Sequence, residues 1–235
     1  MKSDQETFKE FVEEAKKDSN IIGFFLSGSR GKNRETKFSD YDIEVVIKDK
    51  VAKSYKNKYE KRAKPPFGFS VFSLSEFRKH AEIGSPFEWD RPSYTYVKAV
   101  VDKTGEIQKL IDEKGKIPKG KIKEYVAGYL DGYINGVYRS LKCFRDDNPI
   151  GARLEASRSI HFFLNTIFGL DGRTTSYYKY LEWELEHHTL KKFPMKPKEI
   201  ITSLLRILED GDVRTQQNNN WEAGSINLIK TFKTK

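Results

Sequence analysis

The chain has 235 residues, a net charge of +9 and 33% charged side chains. No stretch approaches the ~18 consecutive apolar residues of a membrane span, and the N-terminal segment MKSDQETFKEF lacks the apolar centre of a secretory signal. The single cysteine, Cys143, excludes an internal disulfide, so we expect a cytoplasmic protein. The positive charge favours anionic partners such as nucleotides, although lysines spread over solvated faces would give the same value.

The first half of the chain alternates predicted helices and strands. Ser3 and Glu6 have capping-box spacing before apolar residues at helical spacing, which predicts a helix over 4–18. Lys48–Pro66 predicts a short helix plus a loop, and Ser75 is expected to cap a short helix. The sequence EIQKLIDEKG predicts a helix that ends at Gly115. Four strands are predicted, at 21–26, 41–47, 67–74 and 93–102, and the short helix is predicted over 76–83.

After this region almost every segment is helical in pattern. Helical periodicity runs through 122–144, 152–170, 176–188, 198–208 and 225–232, whereas QQNNN at 216–220 is predicted to be a loop or cap. We therefore predict an α+β protein. Its N-terminal α/β domain with a small mixed sheet spans 1–116, and its C-terminal all-α bundle spans 117–235.

The most informative stretch is GSRGKNRETKFSDYDIEVVI, which runs from Gly28 to Ile47. Residues two apart in a strand point to the same side, so Asp40, Asp42 and Glu44 are predicted to share a face. Like charges so placed destabilise a sheet unless a cation neutralises them, and Mg²⁺ commonly binds one or two carboxylates together with substrate phosphates. The turn at Gly28 and Ser29 lets backbone amides approach a phosphate closely. Arg30 and Lys32 add positive charge beside that turn.

These residues resemble the nucleotidyltransferase superfamily, which includes DNA polymerase β and the aminoglycoside nucleotidyltransferases. The pattern is an apolar residue, Gly, Gly or Ser, a spacer, and then Asp-x-Asp or Asp-x-Glu between apolar residues, and SGSRGKNRETKFSDYDIE matches it. The resemblance implies that Ser29 contacts a nucleoside triphosphate and that Asp40 and Asp42 bind Mg²⁺. A helical C-terminal half is similar to that of the kanamycin and lincosamide nucleotidyltransferases.

One departure from the family pattern concerns a third carboxylate. The family often carries it on the strand that we predict at 67–74, and here that strand contains no acid. Glu44 could substitute for it, or Glu88 or Asp90 could reach the site from a loop. Alternatively, the site binds metal weakly or is degenerate.

The helical half is expected to supply further functional groups. Asp131 lies among apolar residues of a predicted helix, where burial would raise its pKa and fit it to accept a hydroxyl proton; a solvated carboxylate is the alternative. Several cations could pair with phosphates, and the resemblance favours Lys142 and Lys179 over Arg139 and Arg158.

The residues therefore predict a Mg²⁺-dependent nucleotidyltransferase that transfers an AMP-like group from ATP to a hydroxyl of a small molecule, such as an aminoglycoside or a lincosamide. A catalytically weak, nucleotide-binding regulatory or antitoxin-like protein is the alternative. A nucleic-acid partner is the least favoured, no membrane partner is expected, and a homodimer is left open.

Overall fold

A computed structural model describes residues 2–210, and the chain divides into two compact units, Met1–Lys116 and Ile117–Lys235. The sequences at 216–220 and 225–232, for which a loop and a helix are predicted, lie outside the described residues. Across residues 2–210, no helix has the length and apolar character that a membrane crossing requires.

The first unit is built on a four-stranded mixed sheet. The strand order is β3-β2-β1-β4, in which β1 pairs antiparallel with both β2 and β4, and β2 pairs parallel with β3. The elements are α1 (Asp4–Lys17), β1 (Ile21–Leu26), α2 (Gly28–Gly31), β2 (Tyr41–Ile47), α3 (Ala52–Glu60), β3 (Phe67–Ser73), α4 (Leu74–Lys79), β4 (Ala99–Asp102) and α5 (Ile107–Lys114), with 3-10 turns at Asp49–Val51 and Glu88–Tyr94.

Helices cover both faces of this sheet, so its two central strands are apolar on both sides. On one face, Ile43 and Val45 of β2 pack in a cluster with residues of α1 and α3. On the other face, Val46 packs in a cluster with Phe77 of α4 and Ile111 of α5. This double burial explains why β1 and β2 are nearly continuous apolar runs, and why a carboxylate on β2 is exceptional.

Most of the predicted elements of this unit are confirmed, with two corrections. The helix α1 begins with the predicted capping box of Ser3 and Glu6. The fourth strand is shorter than predicted because Tyr94 belongs to a 3-10 turn. The prediction that Ser75 caps α4 is wrong. The cap is Ser73, whose hydroxyl accepts the Glu76 amide at 3.2 Å while the Glu76 carboxylate accepts the Ser73 amide at 2.8 Å.

The second unit, where the structure describes it, is helical. The first two helices form an antiparallel hairpin, since Gly136 lies against Ser159 and the Ser140 hydroxyl donates to the Ala152 carbonyl at 2.9 Å. Small residues at these positions let the two backbones approach. The helices are α6 (Ile122–Arg145), α7 (Pro149–Leu170), α8 (Leu181–His187) and α9 (Pro197–Asp210), with a 3-10 turn at Tyr178–Tyr180. The predicted α+β class is confirmed.

Candidate active site

The Gly28-Ser29 turn lies directly against the second strand. The chain leaves β1 at Ser27, which is buried and whose amide donates to the Asp42 carbonyl at 2.9 Å. Gly28 follows with a φ of +58°, a conformation that favours glycine. A Cβ built on Gly28 would lie 2.1 Å from Oδ2 of Asp42. Glycine is therefore required both by the backbone conformation and by the carboxylate that faces it.

Asp40 and Asp42 form an acidic pair next to this turn. Asp40 is exposed and directly precedes β2, whereas Asp42 is half-buried within the strand. Burial and the nearby charge of Asp40 raise the pKa of Asp42. Within residues 2–210, neither carboxylate accepts a hydrogen bond or forms an ion pair. The two carboxylates therefore carry negative charge that no residue within 2–210 neutralises through an ion pair.

Glu44 lies on the same side of β2 but belongs to the core. Its side chain is buried, and Oε2 accepts a hydrogen bond from the Tyr94 hydroxyl at 3.0 Å. Burial raises the pKa of Glu44 to about 8, although hydrogen bonds with Ser27 and Tyr94 oppose that shift. The Glu44 carboxyl is therefore held as an internal hydrogen-bonding group rather than presented beside Asp40.

The other two candidates for a third carboxylate are also engaged elsewhere. Oε2 of Glu88 accepts the Gly84 amide at 2.7 Å. Asp90 contacts the His80 ring at 2.7 Å and accepts the Ser93 hydroxyl at 2.6 Å. In the part of the chain that the structure describes, no group of three or more His, Cys, Asp or Glu side chains is placed to hold a metal ion. The site in this unit is therefore a pair of carboxylates.

The two cations that follow the turn contact main-chain carbonyls. Arg30 donates from Nε to the Asp40 carbonyl at 2.9 Å and from Nη2 to the Ser39 carbonyl at 2.8 Å. The Nζ of Lys32 donates to the Pro92 carbonyl at 2.5 Å. The carbonyl of Ser29 accepts the amide of Arg34 at 2.9 Å. The loop between α2 and β2 is thus folded back onto the turn.

The acid predicted in the helical unit is placed differently from the expectation. Asp131 is exposed on α6, and Nδ2 of Asn135 donates to its Oδ2 at 3.1 Å. Neighbours along a helix are rotated by about 100°, so Leu130 and Tyr133 can be buried while Asp131 faces outwards. Within its own unit, Asp131 lacks the apolar surroundings that the sequence argument assumed.

The two predicted lysines of this unit lie at different levels of the hairpin. Lys142 is on α6, eleven residues after Asp131, which corresponds to about 16 Å along the helix axis at ~1.5 Å per residue. Lys179 is exposed on the 3-10 turn, next to Tyr178, whose hydroxyl contacts Nδ1 of His161 at 3.1 Å. His161 precedes Phe162, which packs on Gly132 beside Asp131. The neighbour of Lys179 thus contacts α7 at the level of Asp131, near the middle of the hairpin, whereas Lys142 lies near its loop.

The remaining cations considered in this unit make local contacts. Arg139 lies 3.9 Å from a carboxylate oxygen of Glu155. The guanidinium of Arg158 lies 5.7 Å from the centre of the Phe162 ring. Both contacts are with the same hairpin, which fits a role in its surface packing.

The chemistry of the acidic pair suits magnesium. Mg²⁺ takes oxygen ligands and often uses one or two protein carboxylates, with substrate phosphates and water completing its coordination. Asp40 and Asp42 supply two such groups, and no described cation competes for them. Burial, and then the charge of Asp40, raises the pKa of Asp42, and a divalent cation bound to the pair would favour its charged form.

A family model identifies this region independently. The model for streptomycin adenylyltransferase matches residues 1–61. This segment is similar to that of a nucleotidyltransferase family. The match contains the whole Gly28–Asp42 motif and confirms the resemblance to the aminoglycoside nucleotidyltransferases. No curated protein matches the chain.

A solved structure is also similar to the chain. It is a nucleotidyltransferase-like protein from Exiguobacterium sibiricum 255-15, which is 10% identical. The comparison covers 97% of this chain and 74% of that chain, with a TM-score of 0.48.

Sequence reasoning missed Tyr94 as a partner of Glu44. The two residues are 50 positions apart, and Tyr94 lies in a segment predicted as a strand. No local pattern signals that pairing, because it depends on how the 3-10 turn packs on the sheet. The contact explains how a carboxyl group can remain inside this core.

Proposed function

We propose that this chain is a Mg²⁺-dependent adenylyltransferase that transfers the AMP group of ATP to a hydroxyl of a small molecule. The proposal rests chiefly on one observation. The carboxylate of Asp42, beside that of Asp40, faces Gly28 at the closest approach that a glycine permits and has no cationic partner among the described residues. A phosphate-binding turn and a metal-binding pair at the same point suit a metal–triphosphate.

In this proposal the first unit binds the donor. Asp40 and Asp42 would hold Mg²⁺, which would neutralise the triphosphate and the charge that develops as pyrophosphate leaves. The amides of Gly28 and Ser29, with the Ser29 hydroxyl, would bind the β- and γ-phosphates, and Arg30 would add positive charge. The uncapped first turn of α2 supports this assignment, because Ser27 makes no side-chain hydrogen bond to it.

We assign binding of the acceptor to the helical unit. Its hydroxyl oxygen would attack the α-phosphorus, and the bond from that phosphorus to the pyrophosphate oxygen would break. We assign the hydroxyl proton to Asp131, whose Oδ1 is left to accept it while Asn135 binds Oδ2. Lys179 and Lys142 are the proposed phosphate contacts of this unit, and Lys179 is the better placed because its neighbour Tyr178 contacts α7 at the level of Asp131.

The family match suggests the class of acceptor. Streptomycin is the substrate named for the matching family. We therefore propose an antibiotic, an aminoglycoside or a lincosamide, as the acceptor and a role in antibiotic resistance. Residues 1–61 do not include the helical unit, so the acceptor is to be found by testing a panel.

The activity is tested directly by incubating the protein with ATP, Mg²⁺ and each antibiotic of such a panel. We expect pyrophosphate release together with an acceptor whose mass has increased by one AMP group. Asp42→Asn should abolish both signals. Glu44→Gln is the matched control, since it makes the same isosteric change two residues further along the strand and should retain activity.

A second function is favoured by the missing third carboxylate. Strand β3 contains no acid, and Glu44, Glu88 and Asp90 are all engaged elsewhere. A protein that binds ATP but turns it over weakly, as a regulatory or antitoxin-like partner, would have such a site. Tight ATP binding without pyrophosphate release across the whole panel would favour this second function and overturn the first.

A further inference from the structure

Arg30 holds the main chain that leads to the first acid of the pair. Its Nε donates to the carbonyls of Asp40 at 2.9 Å and Ser39 at 3.3 Å, and its Nη2 donates to Ser39 at 2.8 Å. The guanidinium also lies 3.9 Å from the centre of the Tyr41 ring. One side chain thus contacts three consecutive residues at the entrance to β2.

The platform beneath Arg30 is rigid. Tyr41 is buried, and its ring packs against Phe8 at 5.3 Å and Phe67 at 4.9 Å between ring centres. A guanidinium stacked on a fixed aromatic ring keeps its donors in a fixed plane. Arg30 is therefore itself well positioned to fix the carbonyls that it contacts.

Asp40 needs such a support. It lies outside β2 at the end of the loop 32–40, it is exposed, and its own carboxylate makes no hydrogen bond to a described residue. The carbonyl of Asp40 is joined to Arg30, and that of the preceding Ser39 is joined to the same guanidinium. These bonds therefore fix the backbone position from which the Asp40 side chain extends towards the site beside Asp42.

We propose that Arg30 is a positioning residue for the metal site: it holds Asp40 beside Asp42 so that the two carboxylates can bind one divalent cation together. The inference rests on the proposed function, because it assumes that the pair binds metal. It differs from the sequence expectation, in which Arg30 provides positive charge for the nucleotide. Because Arg30 immediately follows Ser29, it also links the phosphate-binding turn to the metal ligands.

Lysine and methionine substitutions separate these two roles. Lys keeps the charge but cannot reproduce the planar set of donors, and Met removes both. If Arg30 positions Asp40, both Arg30→Lys and Arg30→Met should weaken binding of Mn²⁺, measured by electron paramagnetic resonance without nucleotide, by about tenfold or more. Because Mn²⁺ binding is measured without nucleotide, any contribution of the Arg30 charge to phosphate binding does not affect this measurement.

Lys37→Met is the matched control. Lys37 is exposed on the same loop, and its Nζ lies near the Phe38 ring, so the change removes one positive charge without touching Asp40. It should leave Mn²⁺ affinity unchanged. Thermal unfolding of each variant is measured alongside, and Arg30→Lys decides the question if Arg30→Met does not fold.

The outcomes distinguish this inference from the proposed function. If Asp42→Asn weakens Mn²⁺ binding but both Arg30 variants bind Mn²⁺ like the wild type, the positioning role is wrong. If Arg30→Met binds Mn²⁺ weakly but Arg30→Lys binds it like the wild type, the planar set of donors is not needed and the positioning role is wrong. If Asp42→Asn itself binds Mn²⁺ normally, the metal site of the proposed function is wrong.

Discussion

The Cα of Gly28 faces the carboxylate of Asp42 so closely that a Cβ on Gly28 would lie 2.1 Å from Oδ2. The two residues are fourteen positions apart, and the amide of Ser27, next to Gly28, donates to the carbonyl of Asp42 at 2.9 Å. The turn that would contact phosphate and the carboxylate that would contact metal are therefore in one rigid arrangement. A change in either residue is expected to move the other.

Gly28→Ala should displace the Asp42 carboxylate and weaken Mg²⁺-dependent nucleotide binding by at least about tenfold. It should also destabilise the fold by about 1–2 kcal/mol, because alanine is strained at positive φ. Calorimetric titration and chemical denaturation measure the two effects.

Gly105→Ala is the control for the strain alone. Gly105 has a φ of +71°, and a Cβ there would meet nothing within 4 Å. We expect a similar loss of stability and normal nucleotide binding. Equal loss of binding in both variants would show that the contact with Asp42 does not matter.

Tyr94→Phe should destabilise the first unit by about 1–3 kcal/mol, since it removes one of the two hydroxyl groups that hydrogen-bond the buried carboxyl of Glu44. Nucleotide binding should be nearly unchanged, because Glu44 is not part of the acidic pair in our account. Denaturant unfolding measures the loss. The control is Tyr138→Phe, at an exposed tyrosine of α6, which should leave the free energy of unfolding almost unchanged. A loss of metal-dependent nucleotide binding in Tyr94→Phe would instead show that Glu44 belongs to the site.

The buried Lys114 predicts how stability depends on pH. Burial, reinforced by the charge of Arg91, lowers its pKa to about 8 from the model-compound value of 10.5. The folded state therefore binds fewer protons than the unfolded state between about pH 8 and 10.5, so this group adds stability as pH rises through that window. The gain is at most about 3 kcal/mol, since one pKa unit corresponds to about 1.4 kcal/mol.

Comparison with Lys114→Met isolates this contribution. The variant also loses the donor to the His80 carbonyl at 2.5 Å, so it should be less stable than the wild type. The difference between the two proteins in free energy of unfolding should grow from pH 7.5 to pH 10. Lys109→Met, at an exposed position of the same helix, should show no such growth. A constant difference for Lys114→Met would contradict the account.

The proximity of the acidic pair to the turn could be predicted because its signal is local. Gly28, Ser29, Asp40 and Asp42 lie within one strand–turn–strand segment, where apolar runs and period-two spacing determine which residues meet. The burial of Glu44 in the core could not be predicted, because its hydrogen-bond partner Tyr94 belongs to a 3-10 turn that is distant in sequence. The prediction that Glu44 lies on the same side of β2 as Asp42 is confirmed, but this spacing fits either a metal ligand or a buried acid.

Two local expectations differ from the structure because of helix geometry. Asp131 has apolar neighbours in sequence, yet helical rotation exposes it; its role as a base stays a prediction. Ser73 directly precedes α4 whereas Ser75 lies in its first turn, and only Ser73 has an acid three residues later, at the position that the capping box needs. In each case the residue types indicated a helix, but the exact position of the residue along that helix determined its environment.

The central claim is that Asp40 and Asp42 bind a metal–triphosphate. It is tested most directly by calorimetric titration with a non-hydrolysable ATP analogue, with and without Mg²⁺, for the wild type and the Asp40→Asn/Asp42→Asn double variant. We predict binding that requires Mg²⁺ in the wild type and is lost in the double variant. Binding that is unchanged in the double variant, or absent from both proteins, would contradict the claim.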